Sequence, residues 1–143
     1  MISHRIKNWD PKVTVPKRPL IIAEAGVNHE GDLSTARRLV REAAAGGADA
    51  IKFQTYRVDT LVANHAPAYW DTTKEATTSQ TALYRKYEKF WKKEYEELKI
   101  CCEKEGIEFL SSPFDESSAS FLNDLMEVFK IASSEITNKP FIE

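Results

Sequence analysis

The sequence predicts an α/β fold on a parallel sheet, and three observations carry that prediction. Short apolar runs rich in β-branched and aromatic residues recur at residues 20–23, 48–54, 107–110 and 128–132. Segments of helical periodicity separate them. Each run closes on polar residues: Glu24, then Gln54, then Ser111 and Ser112, then Ser133, Ser134 and Glu135. Ligands of α/β folds gather at the C-terminal ends of strands, so four polar strand ends in succession point to an enzyme site.

The elements follow in order. Residues 1–19 carry Pro11, Pro16 and Pro19 and read as an irregular leading segment or a short hairpin below the sheet. Leu20 to Ala23 form a strand expected to be buried on both faces. Gly26, Asn28, His29 and Gly31 make a polar turn, and Asp32 caps a helix from about Leu33. Leu33, Ala36, Leu39, Val40, Ala43 and Ala44 share one helical face, with Arg37, Arg38, Arg41 and Glu42 largely opposite. Gly46 and Gly47 end this helix, because glycine tolerates the left-handed cap. Residues 48–54 are the second strand, reached by a right-handed crossover.

Residues 55–80 break the rhythm. They hold several threonines, Pro67 and the pair Tyr69 and Trp70, which suggests an ordered lid or subunit contact. A single helix resumes by Thr81. It carries Leu83, Tyr84, Tyr87, Trp91, Tyr95, Leu98, Cys101 and Cys102 as a packing stripe. Gly106 stops it, and residues 107–110 form the third strand. Pro113 fixes a turn after Ser111 and Ser112. Asp115 caps a helix bearing Ala119, Leu122, Leu125 and Met126, and residues 128–132 are the fourth strand.

Composition narrows the function classes. The chain has 143 residues, 42% hydrophobic and 29% charged, with a formal net charge of −2, which fits one domain of ordinary balance. No basic excess favours nucleic acid, no acidic tail is present, and no apolar run approaches a membrane span. The first seven residues lack a signal-peptide apolar region, so a cytoplasmic protein is expected. Cys101 and Cys102 are adjacent and read as reduced helix residues without zinc spacing. Neither a Walker loop nor G-x-G-x-x-G is present. Four strand–helix units fit half of a (β/α)₈ barrel or a small doubly wound sheet; a polar residue at every strand end favours the barrel.

Candidate site residues follow from the strand ends. Lys52 sits within an apolar strand, either as an edge lysine reaching solvent or as a cation held in a barrel mouth for a phosphate or carboxylate. Gln54 faces the same side. Lys130 repeats the arrangement, with Ser133 and Glu135 beyond it, so two lysines could converge on one anion. Glu24 and Glu135 are rim carboxylates, suited to accept sugar hydroxyls or move protons, or else to serve as caps or ion-pair partners. Ser111 or Ser112 offers a hydroxyl to a phosphate oxygen. His29 and His65 lack companions for metal ligation.

The motifs Ile-Ile-Ala-Glu-Ala-Gly-Val-Asn-His-Glu-Gly-Asp (21–32), Gly-Ala-Asp-Ala-Ile-Lys-Phe-Gln-Thr (47–55), Phe-Leu-Ser-Ser-Pro-Phe-Asp (109–115) and Phe-Lys-Ile-Ala-Ser-Ser-Glu-Ile-Thr-Asn (129–138) together resemble the N-acetylneuraminate (sialic acid) synthase family. The resemblance runs from Pro19 to Glu143. It implies a (β/α)₈ TIM barrel, of which this chain supplies about the first four units as residues 20–143. It also implies an antifreeze-like domain beyond the barrel and a homodimer. The implied reaction condenses phosphoenolpyruvate with N-acetylmannosamine or a related 2-acetamido sugar and releases phosphate, with a divalent metal, Mn or Mg, polarising the sugar aldehyde.

Carried over by motif, Lys52, Ser112, Lys130 and Ser133 are expected to hold phosphoenolpyruvate. Glu24, Gln54 and Glu135 are expected to hold the sugar, with Glu24 and Glu135 as catalytic carboxylates and Glu135 assisting water. The metal ligands are expected outside this chain. Two substitutions depart from the family pattern: Ser112 where threonine is common, which keeps the hydroxyl, and Ser134 where glycine is common, which stiffens the backbone before Glu135. The chain is also shorter than the family's barrel. It is therefore expected to be the N-terminal part of a synthase and inactive alone; the competing expectation is a non-catalytic half-barrel that binds an anion or a partner chain.

Overall fold

The computed structural model of the protein describes residues 2–10, 12 and 18–143. Among them, three parallel strands form one sheet: β1 (Ile22–Gly26), β2 (Ala50–Thr55) and β3 (Glu108–Pro113), in the order β1-β2-β3. β2 is central, and its alternation explains its position. Ile51, Phe53 and Thr55 are buried on one face, while Lys52 and Gln54 stand half-buried on the other. Helices α2 (Leu33–Ala45) and α5 (Lys92–Glu105) pack against each other and the sheet, joining Val40, Leu98 and Cys102 to Phe53 and Phe109 in one core. Each such side chain, fully withdrawn from water, contributes roughly 1.5–3 kcal/mol. Burial pushes the Cys102 thiol up to about 12, so it packs as a neutral group.

Local signals place the connections. Asp32 accepts hydrogen bonds from the Ser34 N–H at 2.6 Å and the Thr35 N–H at 3.3 Å, capping α2. Gly47 takes the left-handed conformation after α2, and Gly106 does so after α5. Asp115 caps α6 (Glu116–Leu122) through the Ser118 N–H. In the long connection, α3 (Val58–Leu61) is followed by a bridge pairing Pro67 with Ser79. The Trp70 indole N–H donates to the carbonyls of Glu75 and Thr77, while Tyr69 is 75% exposed.

Several expectations are corrected. The leading segment opens on a helix, α1 (Ile2–Lys7), while its other described residues, 8–10, 12 and 18–19, lie outside any helix or strand. α1 buries Ile2 in the core, and the Ser3 N–H donates to the Glu108 carboxylate. Pro11 and Pro16 lie outside the described residues. β1 begins two residues later than expected and is an edge strand, so Ile21 and Ile22 are exposed rather than buried on both faces. Ser111 and Ser112 belong to β3 itself, not to a turn.

The helix expected from Thr81 to Cys102 is two helices, α4 (Gln80–Tyr87) and α5. They part because Phe90 turns inward to stack on His29, with ring centroids 4.0 Å apart, and the Glu94 carboxylate accepts the Trp91 N–H to start a new helix.

The fourth strand does not join the sheet. Glu108 and Phe114 direct their N–H groups to the carbonyls of Asp49, just before β2, and Thr55, at its end, whereas on the opposite edge the Ser111 N–H goes to the Met126 sulfur. Residues 128–132 run without a ladder bond to β3 and lead into a single 3₁₀ turn, Ser133–Glu135, followed by α7 (Lys139–Ile142). The fold class is therefore α/β with a parallel three-stranded sheet over the described residues.

Candidate functional site

The register of the sheet assembles a polar cluster on one face. Glu24 lies opposite Lys52 across β1 and β2, and Gln54 lies opposite Ser112 across β2 and β3. Because side chains alternate, these four residues project from the same side. The Lys52 ammonium is ion-paired with the Glu24 carboxylate; the lysine side chain is only 12% exposed, the glutamate 49%. A cation so shielded interacts more strongly with an anion than one in bulk water.

Gly26 brings the carboxylate and the amide together. The ladder is irregular between Glu24 and Gly26, and Gly26 has φ +55°. A Cβ placed there would stand 3.3 Å from both the Glu24 Oε1 and the Gln54 Nε2. The position thus needs glycine for its backbone and for the space its neighbours occupy. Next to Gln54, the buried Ser112 Oγ makes no hydrogen bond among the described residues. An unpaired buried hydroxyl is costly unless a ligand completes it.

Among the supports behind this face, Tyr95, Thr55, Ser111 and Asp115 are buried. The Tyr95 phenol, on α5, donates to the Gln54 carbonyl at 2.7 Å, and the Thr55 and Ser111 hydroxyls bond to each other at 2.7 Å. Burial pushes the Tyr95 phenol up to about 12, so it remains a donor across the working pH range. Asp115 accepts the Arg57 N–H at 2.8 Å, tying the loop after β2 to the loop after β3. Burial opposes its charge, but hydrogen bonds from Ser117, Ser118 and Arg57 outweigh this and hold its carboxyl below the usual carboxylate range. The Arg57 guanidinium pairs with Glu88 at 3.1 Å and lies 4.8 Å over the Trp91 ring.

The remaining sequence candidates sit apart. Lys130 and Ser133 are exposed, in the segment that does not join the sheet. Glu135 is buried and accepts the Asn138 side-chain amide at 2.7 Å. Among the described residues, no hydrogen bond or ion pair links these three to Glu24, Lys52, Gln54 or Ser112. His29 is buried, with its Nδ1 accepting the Gly31 N–H at 3.0 Å and its Nε2 without a hydrogen-bond partner among the described residues. Burial lowers its pKa to about 4, so it is neutral near pH 7. Among the described residues, no three His, Cys, Asp or Glu side chains are grouped to hold a metal ion. No helix among them is long and apolar enough to cross a membrane.

Sequence reading missed Tyr95 and Gly26 as parts of this site. Tyr95 looks like one more stripe residue, and Gly26 like a strand boundary. The available signal was the phenol itself, a polar tip on an otherwise apolar helix face.

Comparison with known proteins places this arrangement among relatives. The model of the NeuB family matches residues 39–143. An N,N'-diacetyllegionaminic acid synthase of Campylobacter jejuni is 44% identical over 131 residues, which is 89% of this chain and 39% of that protein. The human N-acetylneuraminate-9-phosphate synthase is 35% identical over 124 residues, covering 86% of this chain and 34% of the relative. Among solved structures, the N-acetylneuraminic acid (sialic acid) synthetase of Leptospira borgpetersenii, crystallised with citrate, aligns at a TM-score of 0.68 and 37% identity. That alignment spans 90% of this chain and 43% of the other. The chain thus spans roughly two-fifths of the length of these relatives.

Proposed function

The chain belongs to the NeuB family, and from that premise we propose that it is the N-terminal part of a (β/α)₈ synthase that condenses phosphoenolpyruvate with a 2-acetamido sugar and releases phosphate. The single observation that carries the proposal is the shielded Lys52 ammonium, which shares one sheet face with Glu24, Gln54 and the unpartnered Ser112 hydroxyl. A compact multiply charged anion and a polyhydroxylated amide need such a mixture: a cation and hydroxyl for one, a carboxylate and amide for the other. The relatives named for sialic and legionaminic acid synthesis point the same way.

In this reading Lys52 and Ser112 hold the phosphate or carboxylate of phosphoenolpyruvate, joined by Lys130 and Ser133 when residues 128–133 complete the barrel. Glu24 and Gln54 receive the sugar, orienting its carbonyl carbon toward the enol carbon. The carbon–carbon bond forms from the methylene carbon of phosphoenolpyruvate to the sugar aldehyde carbon as the aldehyde π bond breaks. The aldehyde oxygen takes up a proton from solvent, and a cationic centre is left at the carbon that carries the phosphate. Water adds there, and the tetrahedral product expels phosphate by breaking its carbon–oxygen bond. Glu135 takes the proton of that water, and Glu24 steadies the sugar hydroxyls as charge develops. A homodimer and a cytoplasmic location complete the proposal. The described residues offer no group of three ligands for the divalent metal implied by the resemblance, Mn or Mg, whose ligands we place in the part of the protein outside this chain, and no step here is routed through it.

The test is phosphate release by a full-length protein carrying this chain. Release that requires both phosphoenolpyruvate and an N-acetylated hexosamine is the expected result. Release with arabinose 5-phosphate or erythrose 4-phosphate in place of the acetamido sugar would move the protein to a sister class of sugar-acid synthases. Binding of phosphoenolpyruvate without turnover would favour a non-catalytic module.

A further inference from the structure

β1 leaves its pairing with β2 one residue before Gln54: the last paired positions are Gly26 and Phe53, just past the irregularity at Glu24. Among the described residues the Gln54 carbonyl therefore has no strand partner on that side. It accepts instead from the Tyr95 phenol, 2.7 Å away. Tyr95 is 4% exposed, and its ring is wedged among Phe90, Phe109 and Phe121. The phenol is thus held by a packed aromatic cluster, and it fixes the peptide that carries the Gln54 side chain. On the far face that side chain's Nε2 flanks Gly26 beside the Glu24 carboxylate.

We propose that Tyr95 is a positioning residue for the sugar side of the site: through the Gln54 carbonyl it sets where the Gln54 amide meets the acetamido sugar. The inference rests on the reading of Gln54 as a sugar contact. Lys52 is not held by this bond. Its backbone lies within the β1–β2 and β2–β3 ladders, and its ammonium is steered by Glu24. Tyr95 therefore acts on one substrate and not on the other. A buried hydrogen bond that fixes a ligand-facing peptide is worth about 1 kcal/mol, or roughly fivefold in affinity.

The experiment compares Tyr95→Phe and Gln54→Ala in the full-length protein by steady-state kinetics with each substrate varied in turn. The expected result for Tyr95→Phe is a KM for the acetamido sugar raised about fivefold, with the KM for phosphoenolpyruvate within twofold of the parent. A purely structural role would lower the melting temperature and activity without separating the two KM values, and that outcome overturns the proposal. If Gln54→Ala raises the sugar KM while Tyr95→Phe does not, this inference fails and the reading of the site stands. If Gln54→Ala leaves the sugar KM unchanged, the reading of the site fails and the inference with it. Should Tyr95→Phe fold poorly, 4-fluorophenylalanine at position 95 fills the space of the hydroxyl without donating a proton. The same split in KM is expected there, and its absence refutes the role.

Discussion

Replacing Lys52 by methionine separates the charge of this side chain from its packing. The stem of Lys52 is largely covered, with 12% of the side chain exposed, and methionine keeps that apolar length. What disappears is one ammonium. A charge-assisted hydrogen bond to an anion contributes about 1.5–3 kcal/mol net, so affinity for phosphoenolpyruvate should fall about 10- to 150-fold. The Coulomb limit is about 4 kcal/mol for charges 4 Å apart at an effective dielectric constant of 20. The loss should stay below that limit, because Glu24 already competes for the same ammonium in the free protein. Folding should change little, since the half-exposed Glu24 carboxylate hydrates once its partner is gone. Calorimetric titration of phosphoenolpyruvate into the full-length parent and Lys52→Met proteins reads the affinity, and thermal melting reads the fold. Affinity within twofold of the parent, with melting unchanged, would remove Lys52 from the anion site.

Three further outcomes follow from the same geometry. Gly26→Ala places a methyl 3.3 Å from the Glu24 and Gln54 side chains at φ +55°; about 1–2 kcal/mol of denaturation free energy should be lost, together with sugar affinity. Asp115→Ala leaves the Arg57 and Ser118 N–H groups without their acceptor at a site 7% exposed; urea denaturation should show a loss of about 2–4 kcal/mol. His29, with its pKa lowered to about 4 by burial, binds fewer protons folded than unfolded as pH falls from about 6.5. Its neutral form supports the fold above pH 6.5, and roughly 3 kcal/mol is lost as pH drops to 4. His29→Gln should flatten the urea-midpoint profile across that window, and a profile as steep as the parent's would refute the assignment.

The parts of the fold that were legible in the sequence are those decided locally. The runs around Ile51 and Phe109 had no alternative to burial, and Asp32, Gly106 and Asp115 carry their capping chemistry in their own side chains or backbone. The family motifs were legible for the same reason, since each is contiguous. What escaped was decided by partners distant in sequence. Phe90 breaks a helix because His29 offers a stacking face, and the outer edge of β3 meets the sulfur of Met126. The Gln54 carbonyl turns to Tyr95 because β1 has already left the ladder. The pairing of Lys52 with Glu24 lies between these cases: in the sequence Glu24 closes one apolar run and Lys52 sits within the next, but only the register shows that they meet.

The central claim is that this sheet face belongs to a synthase that joins phosphoenolpyruvate to an acetamido sugar with cleavage of the carbon–oxygen bond. It is tested most directly with phosphoenolpyruvate whose bridging enol oxygen is isotopically heavy. The full-length protein is supplied with this substrate, with and without N-acetylmannosamine, and the released phosphate is weighed by mass spectrometry. The account predicts heavy phosphate that forms only when the sugar is present. Phosphate of ordinary mass, or release that does not need the sugar, would contradict it.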